Sequence, residues 1–238
     1  MLRGRKLAVL EREVTSCRAC PRLVEWRERV AREKRAAYRD WEYWGRPVPG
    51  FGDPAARVVV FGLAPAAHGA NRTGRFFTGD RSGDFLFEGL YRTGFSDKAV
   101  SRTVEDDVRL SGLWITAAVR CAPPQNKPTP AERDACLPYA ARELDLLEAE
   151  VLVCLGAFAW DAALRLRNVR PKPKFGHGAE ARAGSLTLLG CYHPSQQNTF
   201  TGVLPPPMLD AVLLRARELA GGGGPERAGP VDQNPPPW

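Results

Sequence analysis

The chain has 238 residues, 44% of them hydrophobic, and a formal net charge of +7 from 34 Lys and Arg against 27 Asp and Glu. This length suffices for one domain with a complete core. No segment approaches the ~20 apolar residues of a membrane span, and the charged start does not resemble a secretory signal, so we expect an intracellular, cytoplasmic protein. The positive charge suits a polyanionic partner, although an Arg-rich, Pro-rich composition is also typical of GC-rich genomes and thermostable proteins.

Helical and strand-like patterns alternate along the chain. Residues 6–36 have helical spacing interrupted by a hairpin at 17–21, where Pro21 can open a second helix. Apolar runs that predict buried parallel strands lie at 57–62, 113–119, 151–156 and 185–194. Further helical patterns lie at 83–92, 130–150, 157–165 and 207–220. This alternation predicts an α/β fold in which helices cover both faces of a parallel sheet.

The domain organisation follows from where core-forming residues stop. Residues 1–220 are predicted to form a single domain. From Gly221 onward the sequence GGGGPERAGPVDQNPPPW contains almost no apolar residues that could build a core. Residues 221–238 are therefore predicted to form a flexible Gly/Pro-rich tail.

The cysteines suggest a metal centre. Cys17 and Cys20 form a C-x2-C pair, and Cys121 and Cys136 follow about a hundred residues later. In a reducing compartment, clustered thiols indicate metal binding rather than disulfides, and four thiolates suit either an all-cysteine zinc site or an iron–sulfur cluster. The wide spacing of the second pair favours a cluster, because zinc ribbons usually close with another C-x2-C. Free core cysteines are the remaining alternative, and this is the role that we predict for the other two cysteines.

Polar and aromatic residues follow the predicted strands. Ligands of parallel α/β sheets bind at the carboxyl ends of the strands. The first strand runs into the loop GLAPAAHGANRTGRFFTGDRSGD, which contains Phe76–Phe77 and Asp80, and the fourth ends at His193. No Walker A loop, dinucleotide fingerprint, nucleophile elbow or H-E-x-x-H motif is present. Backbone amides, an aromatic platform, an acid and an imidazole would together suit a flat, polar heterocycle.

Taken in order, these motifs resemble the iron–sulfur uracil-DNA glycosylases. The resemblance rests on the C-x2-C pair, GLAPAAHGANRTGRFFTGDRSG, ITAAVRCAPPQNKPTPAERDAC and YHPS, within about residues 14–205. It is closer to the type-b, or family 5, branch than to type-a. It implies a DNA-repair N-glycosylase that hydrolytically removes uracil and leaves an abasic site. It also implies a three-layer α/β/α sandwich around a four-stranded parallel sheet, and one 4Fe–4S cluster on Cys17, Cys20, Cys121 and Cys136.

The resemblance also implies roles in the base pocket. A base within a duplex must be flipped out before its glycosidic bond can be attacked, and the flipped base would stack on Phe77. His193 would stabilise the departing base anion, with a structural His–Pro turn as the alternative. Asp80 is our candidate for a water-positioning acid, with N-capping of the next helix as the alternative. The implied substrate-binding residues are Gly62, Leu63, Ala64, His68, Asn71, Phe77 and Ala117, of which His68 and Asn71 could instead serve loop-internal hydrogen bonding.

Two positions depart from the type-a pattern. Ala117 stands where type-a enzymes have an Asn that reads the base, so we expect a permissive pocket that also accepts hypoxanthine and xanthine. Leu63 stands where they have Glu, so an activating acid must come from elsewhere or be unnecessary.

The implied partner is double-stranded DNA containing deaminated bases, with single-stranded DNA left open, and we expect a nucleoid-associated monomer. The minor-groove probe would comprise Ser195, Gln196, Gln197 and Asn198. Phosphate contacts are predicted for Arg72, Arg75, Arg81 and Lys127, although a single Arg is more often a solvated surface group. Two other classes stay open: an iron–sulfur redox protein, and a zinc-stabilised nucleic-acid-binding protein without glycosylase activity.

Overall fold

The computed structural model describes residues 2–221, so nearly all of the predicted tail at 221–238 lies outside the described residues. The helices are α1 (Leu2–Thr15), α2 (Pro21–Glu33), α3 (Ala70–Thr73), α4 (Arg81–Arg92), α5 (Pro130–Leu147), α6 (Ala157–Leu166), α7 (Gln196–Phe200) and α8 (Pro206–Leu219). The strands are β1 (Phe51–Gly52), β2 (Val58–Gly62), β3 (Leu113–Ala117), β4 (Val151–Leu155), β5 (Glu180–Ala183) and β6 (Leu186–Cys191). No helix in residues 2–221 is both long and apolar enough to cross a bilayer.

The central sheet has six strands in the order β1-β3-β2-β4-β6-β5, so the prediction of a four-stranded sheet is wrong. The four predicted strands are present as β2, β3, β4 and β6, and they pair in parallel. The two additional strands, β1 and β5, pair antiparallel at opposite edges. Neither has a buried apolar run: β1 is two residues long, and β5 alternates exposed with half-buried residues.

The three-layer architecture is confirmed by how β2 divides its side chains. Because successive side chains of a strand point to opposite faces, Val58 and Val60 face one core and Val59 and Phe61 face the other. The first core is covered by α4 and α8, and the second by α1, α5 and α6. The carboxyl ends of the parallel strands therefore open at one edge of the sandwich.

The start of α5 is fixed in two ways. Thr129 and Glu132 form a reciprocal capping box, with Thr129 Oγ1 accepting from the Glu132 amide at 3.2 Å and Glu132 Oε2 accepting from the Thr129 amide at 2.7 Å. Such caps satisfy backbone donors that a helix start leaves free. Arg22 of α2 then binds both Glu132 oxygens at 2.7 Å. These bonds join the first turn of α2 to the first turn of α5. Cys17 and Cys20 precede α2, and Cys136 lies in the second turn of α5.

Candidate functional site

The loop that follows β2, residues 63–80, folds back over the end of the sheet, and we refer to it as the β2 loop. Arg72 of α3 joins its two arms, since Nε donates to the His68 carbonyl at 2.8 Å and Nη2 to the Gly79 carbonyl at 2.7 Å. Thr73 Oγ1 adds bonds to the carbonyls of Arg75 and Thr78 at 3.2 and 3.3 Å. The loop is therefore a rigid platform rather than a free connector.

Phe77 presents its ring over the end of β2. A Cβ built on Gly62 would lie 3.4 Å from that ring, and the ring centroid is 6.3 Å from that of His193, with the planes tilted by 38°. Phe77 has a left-handed φ of 52°, which is uncommon for a bulky residue. Gly83 makes this possible, because a side chain there would collide with the Phe77 backbone. Phe76 is only 2% exposed and belongs to the core, so Phe77 alone supplies an open aromatic face.

His193 lies at the end of β6, half-buried beside this ring. Its carbonyl accepts a bond from Asn198 Nδ2 at 2.9 Å, and a Cβ built on Gly156 would lie 3.3 Å from the His193 Cβ. Burial lowers the pKa of His193 to about 4. The imidazole is therefore neutral near pH 7, a form in which one ring nitrogen donates a hydrogen bond.

Asp80 caps α4, the alternative role that its sequence position allows. Oδ1 accepts from the Gly83 amide at 2.9 Å, and Oδ2 lies against Gly69, where no side chain would fit. Burial raises the pKa of Asp80, and the hydrogen bonds from α4 amides oppose that rise. The residue also lines the open groove at the strand ends, so the cap leaves one carboxylate edge close to the site.

Backbone amides stand free at the start of the β2 loop. The N–H groups of Leu63, Ala64 and Ala66 donate to no backbone acceptor among the described residues. The carbonyls of Gly62 and Leu63, by contrast, accept bonds at 3.0 Å from the segment that follows β3. The start of the β2 loop therefore has unpaired backbone donors, while the carbonyls of Gly62 and Leu63 are paired.

Three predicted substrate residues lie in different environments. Asn71 is fully buried beneath the β2 loop, where Nδ2 donates to the Arg27 carbonyl of α2 at 3.2 Å and to the Ala67 carbonyl of the same loop at 3.5 Å, and its substrate role stays a prediction. His68 lines the groove and its Nδ1 lies 3.1 Å from the Tyr43 hydroxyl. Ala117 is 1% exposed, ends β3 in register with Gly62, and puts only a methyl group there.

Two of the predicted phosphate-binding cations are buried. Arg72 is 3% exposed and Arg75 is 9% exposed, and Arg75 bonds to Ser101 Oγ at 2.7 Å and to the Asp106 carboxylate. The phosphate role predicted for these two is wrong, because both turn inward to bind acceptors in and around the β2 loop. Arg81 and Lys127 are exposed, and their role stays a prediction.

The segment predicted as the DNA probe is partly structural. Ser195 caps α7 by accepting from the Asn198 amide at 3.4 Å, whereas Gln196 and Gln197 are exposed. Sequence reasoning missed Phe200, which is 68% exposed and has the Arg81 guanidinium 5.5 Å from its ring centroid. The sequence feature that could have indicated Phe200 is an aromatic residue at the end of the otherwise polar segment QQNTF.

The four clustered cysteines line one small apolar cavity of about 20 Å³, which we call the cysteine cavity. Its other lining residues include Leu23, Val119 and Tyr139. Burial raises the pKa of Cys121 to about 11 and that of Cys136 to about 12. Thiolates, the form that binds metals, thus need a positive charge beside them. The remaining cysteines, Cys154 and Cys191, are fully buried in strands, which confirms their predicted core role.

Arg27 supplies one such charge. It is 2% exposed, its Nη1 donates to Cys121 Sγ at 2.9 Å, and its nearest carboxylate in the described chain is that of Glu28 at 3.9 Å. A buried guanidinium without a close carboxylate is costly unless another anion accompanies it. A metal-bound set of thiolates is such an anion. The backbone N–H of Arg120 also donates to Cys136 Sγ at 3.3 Å.

The donor set of the cysteine cavity can be compared with the group that the resemblance implies. Four cysteines are the ligand set of an iron–sulfur cluster, and all four line this one cavity, so the chemistry of the residues fits the group. Across residues 2–221, no group of three or more His, Cys, Asp or Glu is arranged to hold a metal ion.

The chain is similar to known proteins of one family. The Uracil DNA glycosylase superfamily profile matches residues 49–216. The Type-5 uracil-DNA glycosylase of Mycobacterium bovis is 55% identical over 213 residues, which is 87% of this chain and 80% of that protein. That of Thermus thermophilus is 54% identical over 87% of this chain and 95% of its own length. A Type-4 uracil-DNA glycosylase of Pyrobaculum aerophilum is 29% identical over 78% of this chain and 87% of its own. The chain belongs to the uracil DNA glycosylase superfamily.

Proposed function

We propose that this protein is a DNA-repair N-glycosylase that hydrolytically removes uracil from DNA and leaves an abasic site. The observation that carries the proposal is the meeting of an aromatic face, a neutral imidazole and unpaired backbone amides at the end of β2. The Type-5 uracil-DNA glycosylases, which are 44–55% identical to this chain over 87–89% of its length, support it. Its DNA substrate implies a location with the nucleoid in the cytoplasm.

Binding begins with a base rotated out of the helix. The base would stack on Phe77, and aromatic stacking contributes about 1–3 kcal/mol per base. The amides of Leu63, Ala64 and Ala66 would donate to its carbonyl oxygens, which are acceptors only. Since the β2 loop is held by internal bonds, these groups require little reorganisation when the base arrives.

His193 would act on the leaving group. As the bond between C1′ of the sugar and N1 of uracil breaks, its electron pair moves onto the base, which becomes an anion. The neutral imidazole donates a hydrogen bond to that developing charge, and one such preorganised donor contributes about 10²–10³-fold in kcat. No proton transfer from His193 is needed, in keeping with its pKa of about 4.

Asp80 would act on the water. The sugar develops positive charge, water forms the new C1′–O bond, and the carboxylate accepts the proton that water releases. The raised pKa of Asp80 brings it closer to the working pH, which improves a general base. Its cap to α4 fixes one oxygen, so the carboxylate holds a constant position while the groove fills.

We extend the substrate range to hypoxanthine and xanthine because of Ala117. The methyl group at this buried position offers no side-chain amide to read the edge of uracil. A pocket loses strong discrimination when it lacks such a hydrogen-bonding group. Ala117 therefore gives the pocket no side-chain hydrogen bond with which to select pyrimidines over purines.

The DNA itself would be held by exposed groups that surround the base pocket. Gln196, Gln197 and Phe200 extend from the end of β6 toward solvent, and an apolar side chain inserted between base steps helps to unstack them. Arg81 and Lys127 would bind phosphates. We propose that the protein acts as a monomer on double-stranded DNA and that single strands are substrates as well, because no duplex feature is needed once the base is out.

We propose a 4Fe–4S cluster held by Cys17, Cys20, Cys121 and Cys136. When bound, it supplies iron–thiolate bonds that join the α1–α2 hairpin, the end of β3 and α5, and hydrolysis needs no redox step. Arg27 balances its charge at Cys121. Iron and acid-labile sulfide in about a 1:1 ratio in the purified protein would support this assignment, whereas zinc alone would contradict it.

The decisive experiment is an excision assay on oligonucleotides that carry uracil, hypoxanthine or xanthine, in duplex and single-stranded form. We expect uracil to be released from both forms, and the two purines from duplexes. His193→Ala is the matched inactive control for contaminating glycosylases. Release of uracil alone would contradict the wider substrate range, and release of no base would contradict the function.

A further inference from the structure

Two aromatic residues lie beside the site with no part in the chemistry proposed above. Tyr38 and Trp41 belong to the segment between α2 and β1, and their rings meet edge to face with centroids 6.1 Å apart and planes at 75°. Tyr38 is half-buried, while Trp41 is 37% exposed. More than a third of Trp41 is therefore open to solvent.

The pair packs against the β2 loop through Arg72. The Arg72 Cζ lies 3.9 Å from the Tyr38 ring centroid and 4.1 Å from that of Trp41. Arg72 Nη1 is buried without a hydrogen-bond partner in the described chain. The segment is also held by its backbone, since the Trp44 amide donates to the Arg72 carbonyl at 2.9 Å. The two rings therefore have fixed positions relative to the catalytic groups.

Both rings line the strand-end groove, an open groove of about 830 Å³. His68 and Asp80 of the β2 loop line it too, as do Asn126 after β3 and Gln196 after β6. The groove thus extends from the aromatic pair to Asp80 and Gln196, which lie three residues along the chain from Phe77 and His193; those two residues do not themselves line it. Its volume is in the upper part of the range for ligand pockets, more than a single base needs.

The charges along the groove favour a polyanion on one side. Arg35, Arg81 and Arg102 line it, are exposed, and make no salt bridge within residues 2–221. Asp84 and Glu88 line the side formed by α4, and Glu88 is 3.8 Å from Arg92. Exposed aromatic faces combined with Arg are the means by which proteins bind single-stranded nucleic acid.

We propose that Trp41, supported by Tyr38 and Arg72, is a stacking platform for a nucleobase of the damaged strand next to the flipped nucleotide. This rests on the proposed function, because it assigns the groove to the strand that the enzyme cleaves. A base in an intact duplex is already stacked on its neighbours, so the platform acts on bases that are unpaired. The platform therefore strengthens binding to single-stranded DNA more than binding to duplex.

The test compares Trp41→Ala with Trp41→Phe, which keeps an aromatic face, and with Tyr91→Ala. Tyr91 is a matched control, because it is 51% exposed on α4 and does not line the groove. Fluorescence anisotropy would give Kd for a lesion-free single strand, and single-turnover excision would give the rate at saturating uracil DNA. Thermal unfolding would show that each variant is folded.

We expect Trp41→Ala to weaken single-strand binding by about 5- to 150-fold, the value of one stacked base, with a smaller change for duplex and an unchanged saturating rate. Trp41→Phe should keep most of the affinity and Tyr91→Ala all of it. Unchanged binding by Trp41→Ala would overturn the proposal. So would a slower saturating rate at unchanged Kd, since the pair would then only brace Arg72. The binding measurement uses DNA without a lesion. If the protein excised no uracil but its binding to a single strand still depended on Trp41, the proposed function would be refuted and the stacking platform would stand.

Discussion

The cysteine cavity and the strand-end groove are built from neighbouring loops but differ in almost every physical respect. The cavity holds about 20 Å³ and is lined by thiols and apolar side chains, whereas the groove holds about 830 Å³ and is lined by charged, aromatic and amide groups. The segment after β3 contributes to both, with Cys121 in one and Asn126 in the other. Stability and chemistry are thus divided between two adjacent regions.

The two regions are joined by a short chain of contacts. Arg27 donates to Cys121 Sγ at 2.9 Å, and the Arg27 carbonyl accepts from Asn71 Nδ2 of the β2 loop at 3.2 Å. The cavity therefore supports the floor of the loop whose other surface faces the groove. Changes in the cavity should unfold the protein, whereas changes in the groove or at His193 should leave a folded protein that binds DNA less well or releases the base more slowly.

The largest effect is expected from loss of a cavity cysteine. On the proposed cluster assignment, Cys136→Ala should bind less iron than the parent and unfold well below the parent's Tm, because metal binding and folding are coupled. Cys154→Ala is the control, because that thiol is fully buried in β4 and does not line the cysteine cavity, so its loss costs packing only. Iron content and thermal unfolding measure both, and a Cys136→Ala protein with full iron would rule out the assigned ligand set.

Next in size is removal of the imidazole. His193→Ala should lower the single-turnover rate of uracil release by about 10²–10³-fold, or about 3–4 kcal/mol in activation free energy. Its Tm and its affinity for DNA should stay near those of the parent. His193→Asn, which keeps an N–H donor, should recover part of the rate. Equal rates for His193→Ala and the parent would contradict the mechanism.

A somewhat smaller effect is expected at Asp80, where the cap and the chemistry can be separated. Asp80→Asn should lose about 10²-fold in rate, the low end for general acid–base catalysis, but keep its Tm, because Asn caps helices as well as Asp. Asp80→Ala should lose the same rate and also about 1 kcal/mol of stability. Asp84→Asn, in the same helical turn, is the control. If Asp80→Asn kept its rate, Asp80 would be a cap alone.

The smallest effect concerns pH and would show how far His193 affects the free energy of unfolding. The pKa of His193 is about 4 in the folded protein, below its ordinary value near 6.5. Below pH 6.5 His193 is protonated in the unfolded chain but stays neutral in the folded chain. Its contribution therefore lowers the free energy of unfolding as the pH falls from about 6.5 to about 4. Between pH 7 and 5 the loss is about 2 kcal/mol.

Thermal unfolding of the parent and His193→Asn across pH 5–7 isolates that contribution. The parent should lose about 4–8 °C more in Tm than the variant over this range, given about 2–4 °C per kcal/mol for a domain of this size. Parallel curves for the two proteins would show that the His193 pKa is not depressed.

The sequence was sufficient to predict the four central strands, the helices that flank them and the family, because these rest on long apolar runs and ordered motifs. The edge strands were missed for a physical reason. In β5, Glu180 and Arg182 face solvent, and the strand forms because its backbone pairs with β6, which a local pattern does not reveal.

For the site, the sequence predicted which residues lie near the strand ends, but not which of their side chains are buried and which line the groove. Asn71 and His68 belong to one loop, yet one is buried under it and the other lines the groove. Arg27 was not singled out from the sequence, although its spacing from Leu23 and Val30 puts it on the buried face of α2. Tyr38 and Trp41 were also missed, and their contact with Arg72 depends on the fold.

The distance along the chain between the two halves of the cysteine cavity has a consequence for synthesis. About a hundred residues separate Cys20 from Cys121, and ribosomes add about 5–20 residues per second. Cys17 and Cys20 are therefore synthesised about 5–20 s before Cys121. During this interval a nascent chain carries a C-x2-C pair that is open to oxidation, so the oxygen level during expression should affect the yield of protein that carries the proposed cluster.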